Sequence, residues 1–207
     1  MTQPISQKLL TLTIMVGLCS FHRPLSFAQT PAISRAEAVE LAVHRIERLI
    51  SLNKLEKDFG AKLESLSLMA TPASTDAEVA FEVSASQFSV AGIPTETALL
   101  NLNNAGKMLS FSTNGDGNIS TASGFPDKGA STLIELALHK LEADAADPAA
   151  SPFYNQLTSV KLIPVMMDMG QGMMLMSVNV AITSDAVPTI LVYQIALNGQ
   201  VTGRIIQ

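Results

Sequence analysis

The chain has no tryptophan, one cysteine and only 5% aromatic residues. Cys19 sits in an N-terminal apolar run, so the rest of the chain has neither disulfides nor cysteine metal ligands. There is no Gly-x-Ser-x-Gly elbow and no glycine-rich phosphate loop, which removes two common signatures of hydrolases and nucleotide binders. Beyond residue 28 only His44, His139, Tyr154 and Tyr193 represent their residue types. General acid–base catalysis would therefore fall to scattered carboxylates, and the sequence is read as that of a non-enzyme without a cofactor. No apolar run after residue 28 is long enough to cross the ~30 Å of bilayer hydrocarbon, so no stable membrane insertion is expected there. Basic residues are also outnumbered, 13 against 18 acids, which disfavours nucleic acid or anionic lipid as a partner.

The first 28 residues have a secretory layout. Lys8 precedes an apolar stretch from Leu9 to Leu18, followed by Pro24 and the small residues Ser26 and Ala28. A basic start, a short apolar centre and small-x-small mark a cleavable signal, with the cut expected after Ala28. Val16-Gly17-Leu18-Cys19 resembles a lipoprotein signal only superficially, because the bulky Leu18 stands directly before Cys19. Losing Lys8 and Arg23 leaves 11 bases against 18 acids, a net charge of −7. The expected location is the periplasm or the exterior.

The remaining chain repeats itself. Ala38–Glu47 (AVELAVHRIE) matches Leu133–Glu142 (LIELALHKLE) at an offset of 95. Leu63–Met69 matches Leu157–Ile163 at 94, Pro94-Thr95 matches Pro188-Thr189 at 94, and the turn at Gly106 matches that at Gly199 at 93. Collinear matches at so long a period indicate a duplicated small domain, not a solenoid.

Each copy reads as a helix followed by strands. Ser34 and Glu37 form a capping box ahead of an apolar stripe at Val39, Ala42, Val43, Ile46, Leu49 and Ile50. Ile134, Ala137, Leu138 and Leu141 trace the same stripe in the second copy, which ends at Asp144–Pro148. The period then switches to two, at Val79, Phe81, Val83 and Ala85, and at Met174, Met176, Val178, Val180 and Ile182, which marks strands with one buried face. Further strands are expected at 66–70, 97–102 and 107–112, with counterparts at 160–165, 189–195 and 200–206. Asn103–Gly106 and Asn198-Gly199 supply the turns. The expected fold is α+β: two tandem repeats, each a helix packed on a three- to four-stranded antiparallel sheet. Boundaries are a signal peptide at 1–28, a first repeat at 29–112, a linker at 113–127 and a second repeat at 128–207.

These elements resemble the PepSY domain of secreted bacterial proteins. The matching residues are Ala38–Ile46, Leu66–Leu68, Phe81–Val83 and Leu102–Leu109, and in the second copy Leu133–Leu141, Val160–Leu162, Val178–Val180 and Ile195–Val201. The family commonly places an acidic residue in its last turn, where this chain has Asn104 and Leu197. The resemblance implies an extracytoplasmic, non-catalytic module, which in some relatives inhibits or escorts peptidases.

Three features could carry chemistry. Met166, Met167, Met169, Met173, Met174 and Met176 surround an expected hairpin turn. Met174 and Met176 are in phase with Val178 and are read as core filler. The other four are turn residues, whose alternatives are a partner-binding loop or a soft Cu(I) site. His44 and His139 each follow a glutamate by four residues, Glu40 and Glu135. One such pair offers two ligands where a structural Zn²⁺ site needs four, so each is read as a solvated pair worth a few tenths of a kcal/mol. Asn114–Asn118 lacks the glycine and the twelfth-position acid of a calcium loop, and Asn118-Ile119-Ser120 is a glycosylation sequon. No catalytic, cofactor or metal residue is assigned. The expected function is an exported module that binds another exported protein, a peptidase inhibitor or regulator. The alternatives are a periplasmic Cu(I) protein using the methionine turn and a carrier of a small apolar ligand between helix and sheet.

Overall fold

The computed structural model describes residues 33–87, 96–114, 129–170 and 172–207. The expected signal peptide, most of the linker, the loop after the second strand and the sequon lie outside those residues. Helix α1 (Arg35–Ser51) opens on Ser34, whose side chain accepts from Glu37 N at 3.1 Å while Glu37 Oε2 accepts from Ser34 N at 2.6 Å. The capping box read from the sequence is therefore present. Strands β1 (Leu63–Ala70), β2 (Phe81–Gln87), β3 (Thr97–Leu102) and β4 (Met108–Asn114) follow. The second half has α2 (Ala130–Ala143), a short α3 (Ser151–Asn155), and strands β5 (Leu157–Asp168), β6 (Met173–Ser184), β7 (Ile190–Ala196) and β8 (Val201–Ile206).

All eight strands form one antiparallel sheet in the order β4-β3-β2-β1-β5-β6-β7-β8. The sheet is therefore larger than the three- to four-stranded sheet expected for each repeat. The two meanders are joined by β1 and β5, where Ser65, Leu66 and Ser67 face Lys161, Val160 and Ser159. Leu66 thus sits opposite Val160, the residue 94 positions on. Had the halves stayed apart, β1 and β5 would each leave a row of backbone donors and acceptors unpaired, and joining them removes two exposed edges. Among the described residues, β4 and β8 form the outer edges.

One face of the sheet carries the core. In β2 Phe81, Val83 and Ala85 are buried while Glu82, Ser84 and Ser86 are half-buried, and β3 repeats the pattern with Ala98, Leu100 and Leu102. Helices α1 and α2 cover this face with Val39, Val43, Ile46, Ile134, Ala137 and Leu141, all fully buried. The resulting cluster is continuous from Leu100 in the first half to Tyr193 in the second. The opposite face is polar, with hydroxyl pairs such as Ser65–Ser86 at 2.8 Å and Ser159–Thr183 at 2.6 Å. Val79, expected in the buried phase of β2, lies before the strand and is exposed, whereas Ala80 is buried. Ala80 N donates to Leu102 O at 2.9 Å, which turns the chain inward one residue earlier than simple alternation predicts.

The turn from β3 to β4 shows how local chemistry sets register. Asn103 Oδ1 accepts from Ala105 N and Lys107 N at 3.0 and 2.9 Å. The buried amides of Asn103 and Asn104 donate to the Asp76 and Ala73 carbonyls, pinning the 71–80 loop. Gly106 has φ +71° and lies against α1, where a Cβ would run into the δ methyl of Leu41. Gly106→Ala is expected to cost about 1–2 kcal/mol from the left-handed backbone alone. A urea midpoint that does not move would refute this account of the turn.

Candidate functional site

Two places concentrate chemistry, and both depend on pairings the sequence alone does not show. The first is the β5–β6 hairpin. Its strands have 12 residues each, against 8 and 7 in β1 and β2. From Ser159↔Thr183 to Val165↔Ser177 the register is regular, but Met166 then faces Leu175, leaving Met176 as an extra residue on β6. This bulge shifts the alternation by one, as an unpaired residue must in a structure of period two. Leu175 therefore takes the side that Met174 was expected to take. The reading of Met174 and Met176 as core is corrected: they are 48% and 39% exposed. Met166, Met167, Met169 and Met173 are 45–60% exposed, so all six thioether side chains reach solvent.

The hairpin end is built by ordinary turn chemistry. Asp168 Oδ1 accepts from Gly170 N at 2.8 Å, Met169 N donates to Gly172 O at 3.0 Å, and both glycines have positive φ. Neither would meet a neighbour through an added Cβ, so the tip stands in open space. Ile163, also exposed, extends the apolar surface along β5. The six side chains are unbranched and flexible, and they can mould to an apolar surface or offer soft sulfur donors.

The second place is the seam between α1 and α2. Glu40, His44 and Glu47 lie at i, i+4 and i+7 on α1, which puts them on one face. Opposite them on α2 are His139, Glu135 and Ser131. The helices meet in three rungs: Glu40 Oε1–His139 Nε2 at 2.8 Å, His44 Nδ1–Glu135 Oε1 at 3.3 Å, and Ser131 Oγ donating to Glu47 Oε1 at 3.1 Å. The residue numbers fall on one helix as they rise on the other, so the seam is antiparallel. Each histidine faces the glutamate of the other helix. His44 keeps its own-helix partner only at 3.8 Å from Glu40. Two solvated pairs within single helices were expected, and packing converts them into contacts between helices. Burial, with the neighbouring Glu47 and Glu40 charges, pushes the Glu135 carboxyl above its ordinary value, and the two imidazoles offset part of that rise.

Two further features are structural or incomplete as sites. Asp144, at the end of α2, accepts from Lys140 Nζ at 2.6 Å and from Tyr193 Oη at 2.9 Å, with Arg204 Nη1 at 3.3 Å. Burial would raise its carboxyl, but hydrogen bonds from Lys140 and Tyr193 and the charges of Lys140 and Arg204 outweigh that and hold it low. Burial, and then Asp144 itself, push the Tyr193 phenol upward, so it stays a neutral donor. An open cleft of about 280 Å³ beside the end of α1 is lined by Arg45, Arg48, Leu49, Leu52, Lys107 and Met108.

The calcium-like stretch and the Ser86–Gly92 loop lie largely outside the described residues. Among those residues no helix is long and apolar enough to cross a membrane. No protein-family model matches the chain, and no curated protein or solved structure is significantly similar to it.

Proposed function

We propose that this chain is an exported, non-catalytic module that binds another exported protein, with the methionine hairpin as its contact surface. One observation carries the reading: six methionine side chains stand exposed on the two faces and the tip of one hairpin that runs past regular core pairing. Contiguous exposed apolar side chains on a soluble domain mark interaction surfaces, and methionine adapts its shape to a partner at little cost. The fold is read as two fused copies of a PepSY-like unit, an ancestry supported by Leu66 lying opposite its own equivalent Val160. That kinship favours a peptidase or another secreted hydrolase as the partner, inhibited or escorted by this chain. The leader-like first 28 residues support export.

The test uses immobilised protein against the exported fraction of the source cells, followed by affinity measurement with the purified partner. Changing all six hairpin methionines to serine should weaken binding at least ~30-fold, the loss expected when buried anchors worth 2 kcal/mol or more are removed. Because the side chains lie on the surface, each single substitution should move folding stability by no more than ~0.5 kcal/mol, and circular dichroism of the variant shows that it folds. A partner that binds the serine variant as tightly as the parent would sink the reading.

A soft-metal function is the second reading, favoured by the bulge that brings Met174 and Met176 out beside the other four. Leucine separates the two ideas, since it keeps apolar surface and removes sulfur. Changing Met166, Met167, Met169 and Met173, and with them Met174 and Met176, to leucine should spare protein binding but abolish Cu(I) uptake if the metal reading holds. Unchanged uptake removes it.

A further inference from the structure

We propose that the α1–α2 seam binds a divalent cation of the zinc class through His44, Glu47 and Glu135. Either Glu–His pair alone offers two donors, too few for such a site. The fold supplies the rest by setting the two helices side by side, so that one donor atom from each of His44, Glu47 and Glu135 lies within 4.8 Å of the others. With ligand distances of about 2.0–2.2 Å, tetrahedral donors stand roughly 3.4 Å apart. His44 Nδ1 and Glu135 Oε1 are already at 3.3 Å, and the exposed Glu47 side chain, held by Ser131 through one oxygen, has its other oxygen to close the remainder.

The orientation of His44 gives an independent reason. A neutral imidazole has one N–H and one lone pair. His44 turns Nδ1 toward Glu135 and Nε2 toward Glu40, so in its neutral form one lone pair faces a carboxylate oxygen. That repulsion is relieved by a second proton or by a cation between the ring and Glu135. With the cation at Nδ1, Nε2 faces Glu40 at 3.8 Å, so a shift of less than ~1 Å would complete the carboxylate–histidine–metal arrangement that orients ligating imidazoles. Glu40 is itself held by His139 at 2.8 Å, and Ser131 occupies only one oxygen of Glu47, leaving the other as a donor. Nitrogen and oxygen donors without sulfur suit zinc-like ions better than Cu(I), so this site is chemically distinct from the methionine hairpin. Three protein donors leave a fourth position for water. An ion here would also tie the first half of the chain to the second.

Zinc chloride titrated into the purified protein at about pH 7.5, followed by calorimetry and thermal melting, tests the proposal. Saturable uptake of one ion per chain is expected, with a melting temperature that rises with zinc and returns on chelation. His44→Gln and Glu135→Gln should each abolish saturable uptake, with zinc-free circular dichroism showing that they fold. Glu40→Gln keeps all three donors and should weaken binding by about 10- to 100-fold. The leucine variant of the hairpin should bind zinc as the parent does. The proposal is overturned if the parent takes up no zinc saturably, if both glutamine variants at the donors bind normally, or if the leucine variant is the one that fails.

Discussion

Replacing Phe81 with alanine lowers the stability of the whole molecule by about 3–5 kcal/mol and moves the unfolding of both halves together. Phe81 is fully buried, pairs with Leu102, and belongs to the cluster that continues into the second half. Its removal leaves a cavity that the surrounding strands can only partly close. The coupling follows from the joint: β1 pairs with β5, the seam rungs tie α1 to α2, and Arg35 at the start of α1 reaches Asp185 at 2.8 Å and the Leu157 carbonyl at 3.4 Å. Composition makes this easy to measure. The chain has no tryptophan, and both tyrosines, Tyr154 and Tyr193, lie in the second half. Tyrosine emission thus reports the half that Phe81 is not in, while far-ultraviolet circular dichroism reports the whole sheet. Coincident urea transitions that shift together are expected. A tyrosine transition left in place while the dichroism splits in two would show that the halves fold independently, and this account of a shared core would be wrong.

Asp144→Ala should cost about 1.5–3 kcal/mol, the range for hydrogen bonds to a charged group. The substitution strands the hydroxyl of Tyr193, whose side chain is fully buried, and releases Lys140 and Arg204 from the end of α2. Arg204 keeps its 2.5 Å contact with Asp147, so β8 stays partly fastened to the chain after α2. The same change alters the response to acid. The Asp144 carboxyl lies below its ordinary 3.8 in the folded chain, so on acidification the unfolded chain takes up that proton first. Its contribution is present in full above about pH 4 and is lost as pH falls through the lowered folded value. Lys140, Tyr193, Arg204 and the neighbouring Asp147 are the groups that face it. Asp147 is also held low, by the Ala149 amide and then Arg204, and it adds a slope of the same sign. Stability measured by denaturant between about pH 2 and pH 5 should therefore fall less steeply in Asp144→Ala than in the parent. Parallel curves would mean that the carboxyl is not perturbed by folding. Tyr193→Phe serves as the companion variant, removing one donor to Asp144 and keeping the ring in the core.

Elements governed by neighbours within a few residues were legible from the chain. The capping box at Ser34 and Glu37 and the apolar stripes of α1 and α2 are where periodicity and cap chemistry put them. The same holds for the turn at Asn103–Gly106 and for the buried phase of β2 from Phe81 to Ala85. Most of the misreadings come from a deciding contact outside the local window. One unpaired residue at Met176 reverses the phase of the hairpin end, and nothing in the local alternation of Met174, Met176 and Val178 signals it. Helix α3 was not anticipated, because Ser151–Asn155 is too short to show a period. The histidines were legible as residues and as i, i+4 pairs, but not as partners of glutamates on the other helix.

What the sequence determined by itself was an α+β chain with an oily helix stripe, alternating strands and internally matching segments. Local propensity and side-chain period are properties of a short window, so they survive reading in one dimension. The tertiary structure alone decided that the strands join into a single sheet, that the methionines of the hairpin face outward, and that two Glu–His pairs meet across α1 and α2. Each of those outcomes depends on which backbone edge or helix face finds a partner dozens of residues away, and it is the burial of those surfaces against one another that selects it.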